Sequence, residues 1–357
     1  MKTFIIAEAG VNHNGSLDLA KQLIDVAAGA GADAVKFQTF RAEALVSRQA
    51  PKADYQLATT GSEESQREMI KRLELDEAAH FTLRQHCLSR GIEFLSSPFD
   101  EESVDLLVDR LSVARLKLPS GEITNAPLLL KAARTGIPII LSTGMSTLAE
   151  VEDALGVLAF GYLDLGIAPG LSAFKEAFGS PDGQSSLQRH VTLLHCTTEY
   201  PAPFMEVNLR VMDTLHAAFG LPVGYSDHTE GIAIAIAAAA CGATVIEKHF
   251  TLDRTLPGPD HLASLEPSDL RAMVSAIRQV EMALGKTIKA PSPAELRNLP
   301  IVRKSLVAAG AIDRGEPFTP ENLTVKRPGT GVSPMAYWDM LGRSADRDYA
   351  PDTVVRL

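Results

Sequence analysis

The amino-acid sequence predicts an α/β protein made of a (β/α)8 TIM barrel followed by a small, mostly β domain. Short aliphatic or β-branched runs alternate with helical stretches over roughly the first 250 residues. A polar cluster follows each run, as expected where the loops after parallel strands share one face. The chain has 357 residues, whereas one barrel needs about 250, so a second unit is expected.

Eight runs are predicted to be the barrel strands. They are residues 4–9, 34–39, 92–97, 114–120, 138–144, 191–197, 222–227 and 244–250. Side chains able to cap a helix precede several of the intervening stretches: Ser16 before 17–30, Asn125 before 126–135, and Thr147 before 148–160. We therefore expect the polar strand tips to converge at one mouth of the barrel.

The barrel is expected to end near residue 285. The amphipathic stretch 268–284 is the last predicted helix, and Pro291, Pro293 and Pro300 interrupt the segment after it. We assign residues 1–285 to the barrel, 286–300 to a linker and 301–357 to the small domain, whose short strand-like pieces are separated by Gly and Pro.

Two long segments interrupt the strand-helix alternation. Residues 41–76 follow the second strand, so Tyr55, Gln56 and Met69 are placed on the catalytic face, where they could cover a substrate. Residues 161–189 instead follow a helix and precede a strand. They are expected on the opposite face, with a structural or interaction role.

Charge and composition exclude several classes of partner. The formal net charge is −10 and no basic run is present, which argues against nucleic acid and anionic membranes. Cys87, Cys196 and Cys241 lack paired spacing, so neither a disulfide framework nor a thiolate metal site is indicated. The first residues lack a secretory apolar core, and the apolar stretch 232–246 is shorter than a membrane span. A cytoplasmic protein with reduced thiols is expected.

Two histidines end neighbouring predicted strands. His228 lies in Gly-Tyr-Ser-Asp-His-Thr at 224–229, and His249 lies in Ile-Glu-Lys-His-Phe at 246–250. Either alone would be read as an ordinary core histidine. Their corresponding positions favour a metal site instead, and their oxygen-rich surroundings suit Mn²⁺ or Mg²⁺ with open water positions better than a closed zinc site.

Charged side chains also occur inside the predicted strands. Glu8 interrupts an apolar strand, where burial would be costly without a cationic partner. Lys36 and Lys117 lie in two further strands, and two cations in one mouth suit a ligand that carries both a phosphate and a carboxylate. Hydroxyls accompany them at the strand tips: Ser97, Ser120, Ser142, Thr143, Thr197, Thr198 and Ser226. Asp260, in a rigid Pro-Gly-Pro loop, either caps its own turn or contacts a substrate hydroxyl.

Taken in chain order, these motifs resemble the sialic acid synthase family. The matching segments are Ile-Ile-Ala-Glu-Ala-Gly-Val-Asn-His-Asn-Gly, Val-Lys-Phe-Gln-Thr, Leu-Ser-Ser-Pro-Phe-Asp, Lys-Leu-Pro-Ser-Gly-Glu, Leu-Ser-Thr-Gly-Met, Leu-His-Cys-Thr-Thr-Glu-Tyr-Pro, Tyr-Ser-Asp-His-Thr, Glu-Lys-His-Phe and Pro-Gly-Pro-Asp. Val-Lys-Arg-Pro-Gly-Thr-Gly at 325–331 is typical of the antifreeze-like SAF domain at the family's C-terminus. The resemblance covers nearly the whole chain.

The resemblance implies a metal-dependent condensation of phosphoenolpyruvate with an open-chain N-acetylated amino sugar. Water is consumed, phosphate is released and a nonulosonic acid forms. By motif, the residues that would hold phosphoenolpyruvate are Lys36, Ser97, Lys117, Ser120, Thr198 and Ser226. The implied metal ligands are His228 and His249. The residues around the acceptor sugar and reacting atoms would be Gln38, Tyr200 and Asp260 with the catalytic carboxylates Glu8, Glu122 and Glu247.

Arg327 matches an arginine that the family supplies from the partner subunit to the sugar's N-acyl group. The resemblance therefore implies a domain-swapped homodimer. Thr198 replaces the Asn or Ser of many relatives, and Ser97 replaces a frequent Thr, so donor contacts persist with altered reach. The opening motif lacks the Ala-Asn-His-Asn-Asn form associated with pseudaminic acid synthases. This favours N-acetylneuraminate, made from N-acetylmannosamine, or N,N'-diacetyllegionaminate, made from 2,4-diacetamido-2,4,6-trideoxymannose.

Two other functions remain open from the residues alone. A Schiff-base pyruvate aldolase would use Lys36 or Lys117 without a metal. A carbohydrate-binding protein would show no turnover, and it would leave the paired lysines and histidines without a purpose.

Overall fold

The structure is a computed structural model, and it describes residues 2–52 and 64–356. The chain folds into two compact units, Met1–Gly285 and Lys286–Leu357. Tyr55 and Gln56, which the sequence places over the substrate, lie outside the described residues. In the described ranges, no helix combines the length and apolarity needed to cross a membrane.

Eight parallel strands form the sheet of the first unit. They are β1 (Phe4–Gly10), β2 (Ala34–Thr39), β3 (Glu93–Pro98), β4 (Leu116–Leu118), β5 (Ile139–Ser142), β6 (Val191–Cys196), β7 (Val223–Asp227) and β8 (Val245–His249). Their order is β3-β2-β1-β8-β7-β6-β5-β4. Strands β3 and β4 also lie side by side, so the sheet closes and the predicted barrel is confirmed.

Helices follow every strand. In the described part of this unit they are α1 (Leu17–Ala30), α2 (Ala42–Leu45), α3 (Gln66–Leu73), α4 (Glu77–Arg90), α5 (Glu101–Asp105), α6 (Ala126–Arg134), α7 (Leu148–Leu163), α8 (Leu171–Gly179), α9 (Pro181–His190), α10 (Val211–Phe219), α11 (Ala233–Ala240) and α12 (Pro267–Leu284). Short turns of 3-10 helix occur at Ser120–Glu122, Phe204–Glu206 and His261–Ala263, and a π-helical turn occurs at Leu106–Arg110.

Local chemistry explains several boundaries. Ser16 caps α1 by accepting from the Leu19 amide, and Gly31 ends it in the left-handed region at φ 82°. Strand β4 is shorter than the predicted run 114–120 because Pro119 has no amide hydrogen to donate and a 3-10 turn begins at Ser120.

Two apolar layers position the functional site. The main core lies between the sheet and the surrounding helices, where outward side chains of β1 such as Ile5 and Ala7 are fully buried. A smaller cluster fills the barrel interior; its buried members are Ile6, Ala34, Leu95, Ile140, Leu194 and Val245. Because Ile6, Ala34 and Val245 come early in their strands, the interior is filled below the level of the strand tips, and polar side chains are left for the mouth above.

The segment 161–189 packs on the outside of the barrel. Helix α7 extends to Leu163, and α8 and α9 then pack against it. Phe174 of α8 meets Phe160 of α7 edge to face, with ring centroids 5.3 Å apart. None of the residues 161–189 lines the cavity at the mouth of the barrel.

The second unit has its own small core. Helix α13 (Pro293–Val302) precedes β9 (Ser305–Ala308), which pairs antiparallel with β10 (Leu323–Lys326). Helix α14 (Tyr337–Met340) comes later in the chain. The buried side chains in this unit include Leu306, Phe318 and Tyr349.

The stretch assigned to a linker, 286–300, contains most of α13. Ser292 and Glu295 form a capping box, and Pro293 occupies the first helical turn, where no amide donor is required. Pro300 lies inside the helix near its end, so the stretch assigned to a linker is partly helical.

Candidate functional site

A cavity of about 310 Å³ opens at the mouth of the barrel, beyond the ends of the strands. Of the residues to which the family resemblance assigns a role, all but two line it. Those that line it are Glu8, Lys36, Gln38, Ser97, Lys117, Ser120, Thr198, Tyr200, Ser226, His228, Glu247, His249 and Asp260. Of the other predicted strand-tip hydroxyls, Ser142 lines it whereas Thr143 and Thr197 do not. The fold therefore brings together side chains that are more than 200 residues apart in the chain.

Four buried charges form one network at the base of the cavity. Lys36 Nζ lies 2.6 Å from Glu8 Oε2 and 3.5 Å from Glu247 Oε2. Lys117 Nζ lies 3.6 Å from Glu247 Oε1. Each of these side chains is at most 5% exposed. Charges this deeply buried are costly unless paired, so the alternation of two ammonium groups with two carboxylates makes the cluster possible.

The two carboxylates differ in their readiness to take a proton. Burial raises the pKa of Glu8 above its ordinary value, and the nearby Lys36 only partly opposes this. Burial also acts on Glu247, but Lys117 and Lys36 outweigh it and lower the pKa of that carboxyl. Glu247 therefore stays ionised, whereas Glu8 is the carboxylate suited to proton exchange near neutral pH.

Strand β1 is bent where it presents Glu8. The register with β2 shifts between Glu8 and Gly10, and Gly10 has a φ of 52°. A Cβ at Gly10 would lie 3.1 Å from Glu8 Oε1 and 3.5 Å from His249 Cε1. A glycine at this position therefore allows both the left-handed backbone and the close approach of these side chains.

Hydroxyl groups surround the two lysines. Ser97 Oγ accepts from Lys36 Nζ at 3.1 Å, and Ser226 Oγ donates to Glu247 Oε1 at 2.8 Å. Thr198 Oγ1 and Ser142 Oγ are buried and have no hydrogen-bond partner among the described residues. Buried hydroxyls beside two ammonium groups can donate to an anionic ligand.

The two histidines face each other across the cavity. Their ring centroids are 5.7 Å apart, with planes inclined at 61°. His228 Nδ1 donates to the Thr197 carbonyl oxygen at 2.7 Å, which leaves its Nε2 lone pair unprotonated. His249 Nδ1 is buried and without a hydrogen-bond partner in the described part of the chain. Burial lowers the pKa of His228 to about 4 and that of His249 well below its usual range, so both rings are neutral at neutral pH.

These two imidazoles fit a divalent cation bound at an open site. Neutral rings are the ligating form, and the carbonyl of Thr197 orients the His228 ring as hydrogen-bond acceptors commonly do for histidines at metal sites. Within residues 2–52 and 64–356, no group of three or more His, Cys, Asp or Glu side chains is arranged to enclose a metal ion. The chain would therefore supply two ligands and leave the remaining positions to water and substrate.

Tyr200 and Asp260 lie above this base. The Tyr200 ring packs against His228 with centroids 4.2 Å apart and meets His249 edge to face at 5.6 Å. Burial raises the pKa of Asp260 to about 6. Met69 also lines the cavity, in agreement with its expected place on this face.

The two remaining residues with an assigned role lie elsewhere. Glu122 does not line the cavity: its Oε2 accepts from Asn125 Nδ2 at 2.7 Å, beside the N-terminus of α6. Arg327 belongs to the second unit, where its Nε donates to the Val302 carbonyl oxygen at 2.9 Å.

Cys196 and Gly144 are site residues that the sequence motifs did not indicate. Cys196 lines the cavity, with Sγ 3.1 Å from Ser120 Oγ. A Cβ on Gly144 would lie 2.4 Å from Thr198 Oγ1 and 2.8 Å from Ser120 Oγ. Cys196 ends β6 and Gly144 follows β5, so inspection of every strand tip for small residues would have identified them.

Sequence comparison extends over both units of the chain. Residues 23–289 match the NeuB family, and residues 303–357 match the SAF domain. The N,N'-diacetyllegionaminic acid synthase of Campylobacter jejuni is 52% identical over 355 residues, covering 99% of this chain and 99% of that protein. The enzyme of the same name from Legionella pneumophila is 45% identical over 355 residues, covering 99% of this chain and 94% of that protein.

A solved structure supports the same relationship. The N-acetylneuraminic acid synthetase of Leptospira borgpetersenii superposes with a TM-score of 0.65 at 33% sequence identity. The match covers 84% of this chain and 90% of that one.

Proposed function

The chain belongs to the NeuB family, and we propose that it condenses phosphoenolpyruvate with an acetamido sugar to form a nonulosonic acid and phosphate. Of the products left open by the sequence, we propose N,N'-diacetyllegionaminic acid. The two relatives that carry this name match almost the full length of the chain at 52% and 45% identity. The acceptor would then be 2,4-diacetamido-2,4,6-trideoxymannose.

The observation that carries the proposal is that two buried ammonium groups and two neutral imidazoles line the same cavity at the mouth of the barrel. Phosphoenolpyruvate bears a phosphate and a carboxylate, and Lys36 and Lys117 offer one cation to each. Glu247 lies within 3.6 Å of both ammonium groups and so keeps them at one end of the cavity. The contacts of the anionic groups would be completed by the hydroxyls of Ser97, Ser120, Thr198 and Ser226.

The acceptor sugar would lie above the donor, among Gln38, Tyr200 and Asp260. These residues line the same cavity and supply an amide, an aromatic face and a buried carboxyl group. A pyranose-sized chain with two acetamido groups needs both apolar and hydrogen-bonding contacts. An apolar wall for an acetamido methyl group is supplied by Phe40, Leu73 and Met69.

His228 and His249 would hold a divalent cation of the Mn²⁺ or Mg²⁺ type. When bound there, the cation would act as a Lewis acid on the aldehyde oxygen of the acceptor. Two features of the protein favour binding of the cation. Burial keeps both imidazoles neutral, and the Thr197 carbonyl orients the His228 ring.

The residues of the chain contribute positioning and electrostatics to the reaction. The methylene carbon of the donor attacks the aldehyde carbon, and positive charge develops at the donor's second carbon. Glu247, whose pKa is lowered by Lys117 and Lys36, would stabilise that charge in its ionised form. We assign Glu8, whose pKa is raised by burial, to accept the proton of the water that adds to this carbon. The proton held by Glu8 then passes to the former aldehyde oxygen, which becomes a hydroxyl. Phosphate leaves by C–O cleavage and takes the proton of the newly added hydroxyl, whose oxygen becomes the ketone oxygen, while the lysines hold the phosphate in place.

The proposal predicts the substrate preference of the purified protein. With phosphoenolpyruvate and Mn²⁺, phosphate release should be at least about tenfold faster with 2,4-diacetamido-2,4,6-trideoxymannose than with N-acetylmannosamine, because contacts to the second acetamido group add binding energy that the simpler sugar cannot supply. Phosphate would be assayed continuously and the nonulosonic acid identified by mass spectrometry. His249→Ala is the matched variant, expected to lose turnover while keeping the circular dichroism spectrum of the fold.

Two results would contradict the proposal. The absence of phosphate release with every acetamido sugar would reject the condensation. Borohydride trapping of pyruvate on Lys36 or Lys117, combined with turnover that resists a chelator, would indicate a Schiff-base lyase instead.

A further inference from the structure

Strands β7 and β8 each alternate between the cavity and the outside of the barrel. Ser226 and His228 face the cavity from β7 and its following loop, and Glu247 and His249 face it from β8. The intervening residues, Asp227 and Lys248, point to the other side of the sheet because successive strand side chains alternate. They form an ion pair there that is 0% and 1% exposed.

This ion pair is closely bonded to the backbone around His228. Lys248 Nζ donates to Asp227 Oδ2 at 2.9 Å and to the Thr229 carbonyl oxygen. Asp227 Oδ1 accepts from the Thr229 amide at 2.9 Å and from Thr229 Oγ1 at 2.8 Å. The residues immediately before and after His228 are therefore both tied to one lysine.

The same lysine immediately precedes His249. Asp227 and Lys248 lie opposite each other in the parallel pairing of β7 with β8, so the ion pair joins the strands at the level of the two histidines. A displacement of Lys248 relative to Asp227 would move both imidazoles, since each is one peptide unit away. The ion pair thus ties together the two backbone segments that carry the rings.

A contribution to folding stability is by itself a weak explanation for the presence of a buried ion pair. A buried ion pair is costly to desolvate, and replacement by apolar groups of similar volume is often neutral or stabilising. Fixing a register is the better-attested use of a buried polar contact. Because this pair lies between two candidate metal ligands, the strand register that it fixes would also fix the relative position of those ligands.

We infer that Asp227 and Lys248 are positioning residues that hold His228 and His249 at the separation needed to bind a divalent cation. The inference rests on the proposed function, because it concerns the cation of that site. It assigns a role to two residues that do not line the cavity.

The test measures binding of Mn²⁺ alone, by calorimetry on the full-length protein. The variant Asp227→Asn with Lys248→Met removes both charges, conserves volume and keeps an oxygen for Thr229. We expect its affinity for Mn²⁺ to fall at least about tenfold, the loss typical of disrupted supporting contacts at metal sites. In turnover assays the Mn²⁺ concentration for half activity should rise by a similar factor, while kcat at saturating Mn²⁺ changes little.

Arg278→Met is the matched control. Arg278 pairs with Asp33 at 2.5 Å near the N-terminal ends of the strands, far along β1 from the mouth. This variant should lower the thermal midpoint and leave Mn²⁺ affinity unchanged. Thr229→Val provides a milder variant that is close in shape to the native residue. It removes one hydrogen bond to Asp227 and should give an intermediate affinity.

The outcomes separate the inference from the proposed function. If the wild-type protein binds Mn²⁺ and His249→Ala does not, but the neutral pair and Thr229→Val bind as tightly as wild type, the positioning role is rejected and the metal site stands. If Arg278→Met weakens binding as much as the neutral pair does, the loss reflects general destabilisation and the inference is rejected. If the wild-type protein binds no Mn²⁺, both the metal site and the inference fail.

Discussion

Burial and neighbouring charges together set the pKa values of the individual titratable residues. Glu8 and Glu247 are carboxylates in the same cavity, yet their pKa values shift in opposite directions because Glu247 is flanked by two ammonium groups. The two histidines of the cavity are held neutral by desolvation, which lowers their pKa values. The same effect extends to His13, which lies outside the cavity lining and is fully buried.

The stability of the protein should fall as the pH is lowered, in part because of His13. Burial lowers the pKa of His13 from 6.5 to about 4. Below about pH 6.5 the unfolded state therefore binds a proton that the folded state does not, and stability is lost until the pH reaches the folded-state pKa. From about pH 7 to about pH 5 this histidine should cost about 2 kcal/mol of unfolding free energy.

Urea unfolding of the wild-type protein and His13→Gln at both pH values would measure this contribution. The variant should lose about 2 kcal/mol less than the wild type over the interval. The absolute stability of the variant is not the relevant quantity, since His13 Nδ1 also accepts from the Gly15 amide at 3.0 Å. Equal pH dependence in the two proteins would show that His13 titrates normally.

At the level of secondary structure, the ends of the strands and helices shape the face of the barrel that carries the cavity. Strand β4 ends just before Pro119, and β1 bends at Gly10. Each feature turns the chain where a polar side chain enters the cavity. The helices around the barrel carry the capping residues and terminal glycines that fix their lengths.

Substitution by alanine should change the stability in opposite directions at two glycines near the C-terminal end of α1. Gly29 lies on the exposed side of the helix, and a Cβ there would meet nothing within 4 Å among the described residues, so Gly29→Ala should stabilise by about 0.5–1 kcal/mol. Gly31 has a φ of 82°, and its nearest neighbour to a new Cβ is Val274 Cγ1 at an ordinary 3.7 Å. Gly31→Ala should destabilise by about 1 kcal/mol through backbone strain alone.

Chemical denaturation of the two variants provides the measurement. Each serves as the control for the other, because both add one methyl group near the same end of one helix. Stabilisation by both substitutions would mean that the left-handed end of α1 is not maintained in solution.

In the molecule as a whole, the barrel cavity is lined by every residue to which the family resemblance assigns a role, except Glu122 and Arg327. Arg327 belongs to the second unit. We propose that the chain forms a homodimer in which each SAF domain supplies Arg327 to the partner's cavity. The two units have separate cores, as exchange between subunits requires.

Mixing two inactive variants tests this arrangement. Arg327→Ala and His249→Ala should each be inactive alone. After joint unfolding and refolding, half of the dimers would be mixed, and each would contain one site with both native residues, so about a quarter of the wild-type activity should return. Mixing Arg327→Ala with Arg327→Lys is the matched control, and it should restore no intact site. Absence of recovery in the first mixture would contradict the exchange.

Linear patterns of residues were sufficient to predict the barrel and the lysines and histidines at its mouth. Alternating apolar and polar residues define strands, and the geometry of a parallel barrel then requires that side chains such as Lys36, Lys117 and His228 meet at one end. This part of the prediction needed only local periodicity and one topological rule, whereas Gln38, Tyr200 and Glu247 were implied by the family resemblance. Helix α1 illustrates this, because it spans the predicted residues 17–30 and Ser16 caps it as predicted.

The partners of each side chain, in contrast, became known only from the folded arrangement. The family resemblance implied that Glu122 is a catalytic carboxylate, but its side chain accepts from Asn125 outside the cavity, at the end of the 3-10 turn that follows β4. The Asp227–Lys248 pair was not predicted, since alternation gives the direction of a side chain but not its partner across the sheet. The opposite pKa shifts of Glu8 and Glu247 depend on distances of a few ångströms between strands, which no linear pattern contains.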